Sequence, residues 1–87
     1  MRRELWPVTI LTSRYGGAWE GGKWLAFHCD PWEVPEEVFG DDVTCNHWFY
    51  DHPNTYGAGQ SPEAAVAALV SLYESEALQY WEREEEP

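Results

Sequence analysis

Hydrophobic and polar residues alternate near the start of the chain, which predicts a β-hairpin. From Pro7 to Ser13, successive side chains alternate between two faces and several are β-branched, as is typical of a strand. A loop with two glycine pairs follows at 16–22, where backbone freedom lets the chain reverse. Residues Trp24 to Cys29 then predict the returning strand.

The middle of the chain predicts a break, a helical turn and a third strand. Pro31 and Pro35 cannot continue a central strand, because each lacks a backbone donor. Residues 35–40 begin with proline and two carboxylates and end with glycine, which favours about one helical turn. We expect the third strand at Val43 to Tyr50, followed by a loop at Pro53-Asn54.

A long helix is predicted after Gly59. Ser61 is suited to cap it, Pro62 to occupy its first position and Glu63 to face the positive end of its dipole. We expect the helix to continue to about Trp81. At about 100° per residue, one face carries the following residues: Val66, Leu69, Tyr73, Ala77 and Tyr80.

Together these elements predict an α+β fold. It consists of a three-stranded antiparallel sheet in ββαβα order, with one long C-terminal helix packed on a face. Residues 1–83 are expected to form a single domain and 84–87 a frayed acidic tail. No apolar run reaches the ~18 residues of a membrane-spanning helix, and the first residues do not resemble a signal peptide, so we expect a cytoplasmic protein.

Aromatic residues are abundant for a chain of 87 residues: six Trp, five Tyr and three Phe. One small core cannot hide all of them, so we expect some to be exposed. Trp19 lies between two glycine pairs, with Tyr15 just before them, and is the best candidate for an interface anchor. The alternative is that Trp19 folds back as a lid over the hairpin.

Charge is distributed unevenly along the chain. The net charge is −11, with +2 on the first 29 residues and −13 on residues 30–87. This field disfavours direct binding of nucleic acid, whose affinity for proteins comes largely from Lys and Arg. A basic protein surface is the more natural partner.

A cluster of carboxylates and one residue of the long helix form the predicted binding surface. Spaced carboxylates can occupy a Lys/Arg groove much as phosphates do. The alternative is a solvated face that only keeps the protein soluble. The candidate acidic residues are Asp30, Glu33, Glu36, Glu37, Asp41, Asp42 and Glu74.

Neither a metal site nor a catalytic site is predicted. Cys29 and Cys45 are expected to be buried thiols, with a disulfide between them as the alternative. The cysteines and histidines lack zinc spacing, so we expect no metal and no cofactor. Asp51 with His52, or Asp42 with His47, could exchange protons, but nothing distinguishes them from surface residues. We therefore predict a protein that is not an enzyme.

The chain has two resemblances to known proteins. Residues 56–69, with Gly59-Gln60-Ser61-Pro62-Glu63 at their centre, resemble the end of the small sheet domain of HicB-like antitoxins, although no added DNA-binding segment is evident. Residues 13–24 and 39–45 are similar to small uncharacterised phage-encoded proteins. Small acidic phage proteins often inhibit host defence, as anti-CRISPR proteins and nucleic-acid mimics do. The resemblance assigns no functional residue.

The functional hypothesis follows from the charge and from this class of protein. We expect a phage-type, anti-CRISPR-like inhibitor that occupies a basic groove of a host nucleic-acid-binding complex. The alternative is a HicB-like antitoxin module that neutralises a small basic toxin, and a third possibility is a structural or assembly protein.

Overall fold

The computed structural model describes residues 7–13 and 21–81, which form an α+β fold. A three-stranded antiparallel sheet has the order β1-β2-β3 and is accompanied by two α-helices and two short 3-10 helices. The strands are β1 (Thr9–Thr12), β2 (Trp24–Phe27) and β3 (Gly57–Gly59). The helices are α1 (Asp42–Asp51) and α2 (Pro62–Glu74), and the 3-10 helices are Pro31–Glu33 and Glu36–Phe39.

The predicted hairpin is confirmed as β1 paired with β2. Thr9 lies opposite Phe27, and Thr12 lies opposite Trp24. On the other side of β2, Trp24 pairs with Gly59. Residues 14–20, which include Tyr15, Trp19 and most of the predicted connection, lie outside the described residues.

The predicted strand Val43 to Tyr50 is wrong, because this segment is helix α1. Asp41 caps the helix, since its Oδ1 accepts a hydrogen bond from the backbone N–H of Thr44 at 2.9 Å. Cys45, Trp48 and Phe49 are buried, and their spacing of three and four residues is that of a helix face. Burial of side chains at this helical spacing outweighs the weak strand preference of the β-branched residues at the start of the segment.

The third strand is instead the glycine-rich β3. Gly57 and Gly59 face α2, which packs so closely that neither position has room for a side chain. A Cβ on Gly57 would collide with the backbone oxygen of Ala65 and the backbone nitrogen of Leu69. The glycines therefore permit the close approach of helix and strand.

Helix α2 begins as predicted but ends earlier than Trp81. The Ser61 hydroxyl accepts from the backbone N–H of Ala64 at 3.1 Å, and Pro62 occupies the first turn. The helix ends at Glu74, where Glu76 adopts a left-handed φ of 63°. The backbone N–H of Ala77 then donates to the Leu72 carbonyl at 3.0 Å, which forms a Schellman motif.

The early end of α2 changes the predicted helix face. Leu69 is buried as expected, and Val66 and Tyr73 are half-buried beside it. Ala77 and Tyr80 lie beyond the helix, in an irregular segment that ends at the buried Trp81.

The sheet separates two packed regions. On one face, α2 covers a small cluster centred on Ala26, Ala65 and Leu69. On the other face, α1 and the 3-10 helices enclose a larger, mainly aromatic cluster. No helix in the described part of the chain combines the length and the apolar character needed to cross a membrane.

Candidate protein-binding surface

The acidic residues predicted to bind a partner lie mainly in residues 30–43, which cover the aromatic face of the sheet. This stretch contains both 3-10 helices and the start of α1. Val34 and Val38 anchor it in the core, being 8% and 2% exposed. Cys45 fixes it further, because its Sγ donates to the Val38 carbonyl at 3.1 Å. The stretch is thus a supported surface built on short turns.

Part of the acidic cluster has a folding role that the sequence did not indicate. The backbone N–H of Asp30 donates to Glu33 Oε1 at 2.9 Å, as in a capping box. Asp41 caps α1, and Asp42 lies in the first turn of the same helix, where a carboxylate is favoured by the dipole. Glu33 and Asp41 therefore contribute to local folding as capping residues.

Four carboxylates of this stretch, including the α1 cap Asp41, are presented to solvent. Glu36, Glu37, Asp41 and Asp42 are exposed, whereas Asp30 and Glu33 are half-buried. In the described part of the chain, ten carboxylates are accompanied by Lys23 as the single Lys or Arg. The local field is therefore strongly negative, and the carboxylates in this stretch can meet a basic partner without losing a core contact.

Large apolar side chains are exposed among these carboxylates. Trp32 is 80% exposed, Phe39 53% and Val43 61%. Monomeric proteins rarely leave several such side chains in water within one short stretch without a use for them. We define the acidic-aromatic surface as these three residues together with Glu36, Glu37, Asp41 and Asp42.

Helix α1 extends this surface with an exposed stripe. Val43, His47 and Tyr50 are spaced four and three residues apart, so they share one face of the helix. All three are exposed, and Tyr50 is 83% exposed. The stripe lies on the side of α1 away from the buried Trp48, so the helix presents an aromatic side chain and a histidine to solvent.

Several predicted site residues are not brought to this surface. Tyr15 and Trp19 lie outside the described residues. Glu74 is exposed but belongs to α2, which packs on the opposite face of the sheet from α1. Sequence reasoning did not single out Trp32 as an anchor. The signal available was its position between Pro31 and Pro35, where neither a strand nor a long helix could carry it into the core.

A second group of polar side chains lies near the end of α1. His52 stacks on Trp48 with ring centroids 4.4 Å apart, and its Nδ1 donates to the Trp48 carbonyl at 2.8 Å. These contacts orient His52 against Trp48 and not toward Asp51. The residues around it enclose a polar pocket of about 430 Å³. Its lining residues are Asp51, His52, Pro53, Asn54, Thr55, Gln79 and Tyr80.

Tyr80 connects this pocket to His28, the residue that follows β2. Its hydroxyl lies 2.6 Å from His28 Nδ1. Burial raises the pKa of the Tyr80 hydroxyl, and the neighbouring Tyr73 raises it further. Tyr80 is therefore neutral at physiological pH and contributes a hydrogen bond to His28 without adding charge.

The cysteines and potential metal ligands are dispersed. Cys29 and Cys45 are both buried and form no disulfide bond, so the disulfide alternative does not apply. Within residues 7–13 and 21–81, no three His, Cys, Asp or Glu side chains are grouped closely enough to hold a metal ion.

Comparison with known proteins adds no assignment to this geometry. No family model matches the chain, and neither a curated protein nor a solved structure is significantly similar to it. The resemblances to HicB-like antitoxins and to phage-encoded proteins therefore stay predictions.

Proposed function

We propose that this chain is a non-enzymatic binding protein that attaches to a basic protein partner through the acidic-aromatic surface. The observation that carries the proposal is Trp32, which is 80% exposed on a stretch that is otherwise anchored to the core. An exposed Trp is the side chain that gives the most binding free energy when a partner removes it from water. The carboxylates around Trp32 orient the partner and raise the rate of association.

The partner that fits this surface is a nucleic-acid-binding protein. Carboxylates at Glu36, Glu37 and Asp42 present negative charge from short turns, and a Lys/Arg groove that normally holds phosphates would attract them. This supports the hypothesis of a phage-type, anti-CRISPR-like inhibitor acting in the host cytoplasm. The exposed apolar side chains would contact the groove in the place of the bases that a nucleic-acid strand stacks there.

The test requires variants that change the surface without unfolding the protein. Asp41 must be spared charge reversal because it caps α1, so Asp41→Asn is used there. The surface variant combines Trp32→Ala, Glu36→Lys and Glu37→Lys with Asp41→Asn. The control is Glu74→Lys with Glu76→Lys, which also reverses two carboxylates but lies beyond the other face of the sheet.

Wild-type protein and both variants are used for affinity capture from bacterial lysate, followed by quantitative mass spectrometry. We expect a nucleic-acid-binding protein to be retained by the wild type and the control and lost by the surface variant. The purified partner should then release the protein when duplex DNA or RNA is added. Equal capture by all three proteins, or a complex that nucleic acid does not displace, would contradict the proposal.

A second candidate function is neutralisation of a small basic toxin. It is favoured by the junction between β3 and α2, where Gly59, the Ser61 cap and Pro62 place a helix directly on a small sheet. This is the part of the chain that resembles HicB-like antitoxins. The same capture experiment distinguishes the candidates, because a toxin partner would itself be a small basic protein whose growth inhibition is relieved by this chain.

A further inference from the structure

An apolar groove runs between strand β1 and helix α2, away from the acidic-aromatic surface. Ile10 forms one wall and is 43% exposed, and α2 forms the other wall. The groove has a volume of about 610 Å³. The residues that line it are Ile10, Pro62, Glu63, Val66, Ala67 and Val70.

The backbone beside this groove has hydrogen-bonding groups directed outward. The Ser13 N–H donates to the Lys23 carbonyl at 2.7 Å, which makes this pair hydrogen-bonded in the antiparallel ladder. Hydrogen-bonded and non-hydrogen-bonded pairs alternate along such a ladder. The N–H and C=O groups of Ile10 and Thr12 therefore point away from β2, toward the outer edge. No described residue forms a strand there.

The edge strand β1 is short but lacks the charged and proline residues that usually prevent strand addition. Proteins protect sheet edges with charged residues, proline, bulges or very short strands. The sequence of β1, Thr9–Thr12, contains neither a charge nor a proline. The opposite edge strand β3 is only three residues long and is packed tightly under α2. Among the described residues, β1 is therefore the sheet edge at which a further strand can add.

We propose that β1 and the adjacent groove bind an extended segment of a partner protein, in which apolar residues alternate with Lys or Arg. The segment adds a fourth strand by hydrogen bonding to Ile10 and Thr12, and its apolar side chains enter the groove. Basic residues are favoured because Glu63 lines the groove, and α2 carries Glu63 and Glu74 with no Lys or Arg. The same charge opposes a second copy of this chain at the edge.

The test uses three synthetic peptides with the full-length protein: one alternating Lys with Ile, one alternating Lys with Gly, and one alternating Glu with Ile. We expect the Lys/Ile peptide to bind most tightly. Amide hydrogen exchange measured by NMR should show protection of Ile10 and Thr12 when the peptide is bound. Equal binding of the Lys/Gly peptide would show a purely electrostatic contact and overturn the proposal.

Two pairs of matched variants test separately how the strand edge and the groove contribute to binding. Thr12→Pro removes an outward N–H but no hydrogen bond to β2. It should weaken binding of the Lys/Ile peptide about tenfold, whereas Thr12→Val should leave binding unchanged. Ala67→Arg fills the groove with a repelling charge, and its control Ser71→Arg lies on α2 outside the groove. If both members of either pair behave alike, the proposal fails.

Three further results would also overturn the proposal. Absence of binding by all peptides would overturn the proposal. So would protection of the Ile10 and Thr12 amides in the free protein, or a dimer that forms without peptide. The inference does not rest on the proposed function, because the Trp32→Ala, Glu36→Lys, Glu37→Lys and Asp41→Asn surface variant should still bind the Lys/Ile peptide.

Discussion

The two faces of the sheet are filled by different kinds of packing. Under α2 the residues are small, and glycines in β3 bring helix and strand backbones close together. On the other face, rings meet at tilted or edge-on angles. Phe27 lies 6.4 Å from Trp48 and 5.8 Å from Trp81, measured between ring centroids.

The two faces also differ in which parts of the sequence form them. The α2 face depends mainly on neighbours in sequence, because β3, the Ser61 cap and the helix follow one another within residues 57–74, and β2 adds Ala26. The aromatic face joins residues from β2, α1 and the segment after α2. Each buried ring removes roughly 150–250 Å² from water, so a few distant contacts supply most of the area buried there. Substitutions on the two faces should therefore have different consequences.

The largest effect is expected on the aromatic face. Phe27 is completely buried and contacts Trp48, Tyr56 and Trp81, so Phe27→Ala leaves a cavity among rings that cannot easily close. We expect a loss of about 3–5 kcal/mol in the free energy of unfolding. Urea denaturation measures it. The exposed Trp32→Ala is the control and should change stability little; equal losses would mean that the aromatic cluster is not the main core.

On the α2 face, Leu69→Ala should cost about 2–5 kcal/mol, because Leu69 is fully buried between the helix and the sheet. Neighbouring small residues allow some collapse, so we expect a smaller loss than for Phe27. The same denaturation experiment compares the two. Glu74→Ala, at an exposed position of the same helix, should have little effect. A neutral Leu69→Ala would show that this face of α2 is wrongly assigned.

Close backbone packing can be tested at Gly57. Gly57→Ala introduces a Cβ that collides with backbone atoms of α2, so the helix must move, at a cost of about 3 kcal/mol. The control is Gly40→Ala, whose Cβ would meet the Thr44 side chain at 3.0 Å and the Glu37 carbonyl oxygen at 3.4 Å, a much looser fit. Thermal unfolding followed by circular dichroism should show a clear decrease for the first variant and a minor one for the second. A reversed order would exclude tight packing of α2 on β3.

A stabilising substitution is expected at the end of α2. Glu76 has a left-handed φ of 63° in a Schellman motif, a position that glycine occupies without strain. Glu76→Gly should therefore raise the free energy of unfolding by about 1 kcal/mol. Glu74→Gly, two residues earlier and inside the helix, should lower it by about the same amount. Denaturation midpoints of the two variants should move in opposite directions; a shared decrease would disprove the motif.

The smallest effect concerns pH. The pKa of Tyr80 is raised above its ordinary value of 10.0, so the folded state holds the proton more tightly than the unfolded state. This contribution to stability is complete below about pH 10 and is lost as pH rises through the folded-state pKa. Tyr80→Phe should weaken the alkaline decrease in stability, measured by denaturation between neutral and alkaline pH. An unchanged pH profile would show that Tyr80 does not couple to folding.

Local signals explain which elements the sequence predicted correctly. The hairpin and the start of α2 depend on alternation, glycine pairs, the Ser61 cap and Pro62, all of which act within a few residues. Helix α1 was mispredicted because Val43 and Thr44 favour a strand, while the Asp41 cap was not weighed against them. The end of α2 was not predicted, because Glu76 occupies the left-handed position where a glycine would have marked the end of the helix.

The rest depends on contacts between distant parts of the chain. Glycines disfavour strands in isolation, and β3 exists because α2 approaches it closely. For the candidate surface, the acidic stretch was predicted from its composition. The exposure of Trp32 was not, because burial of an aromatic residue depends on whether the fold leaves it a place in the core.

The position of Trp81 has a consequence for the order in which the chain becomes structured during synthesis. Trp81 is 9% exposed and closes the aromatic cluster against Phe27 and Trp48. The sheet, α1 and α2 are all translated before it, so a nascent chain can assemble the α2 side while the aromatic side still lacks one wall. Until Trp81 has packed, Phe27 and Trp48 lack the ring that contacts both of them from that side.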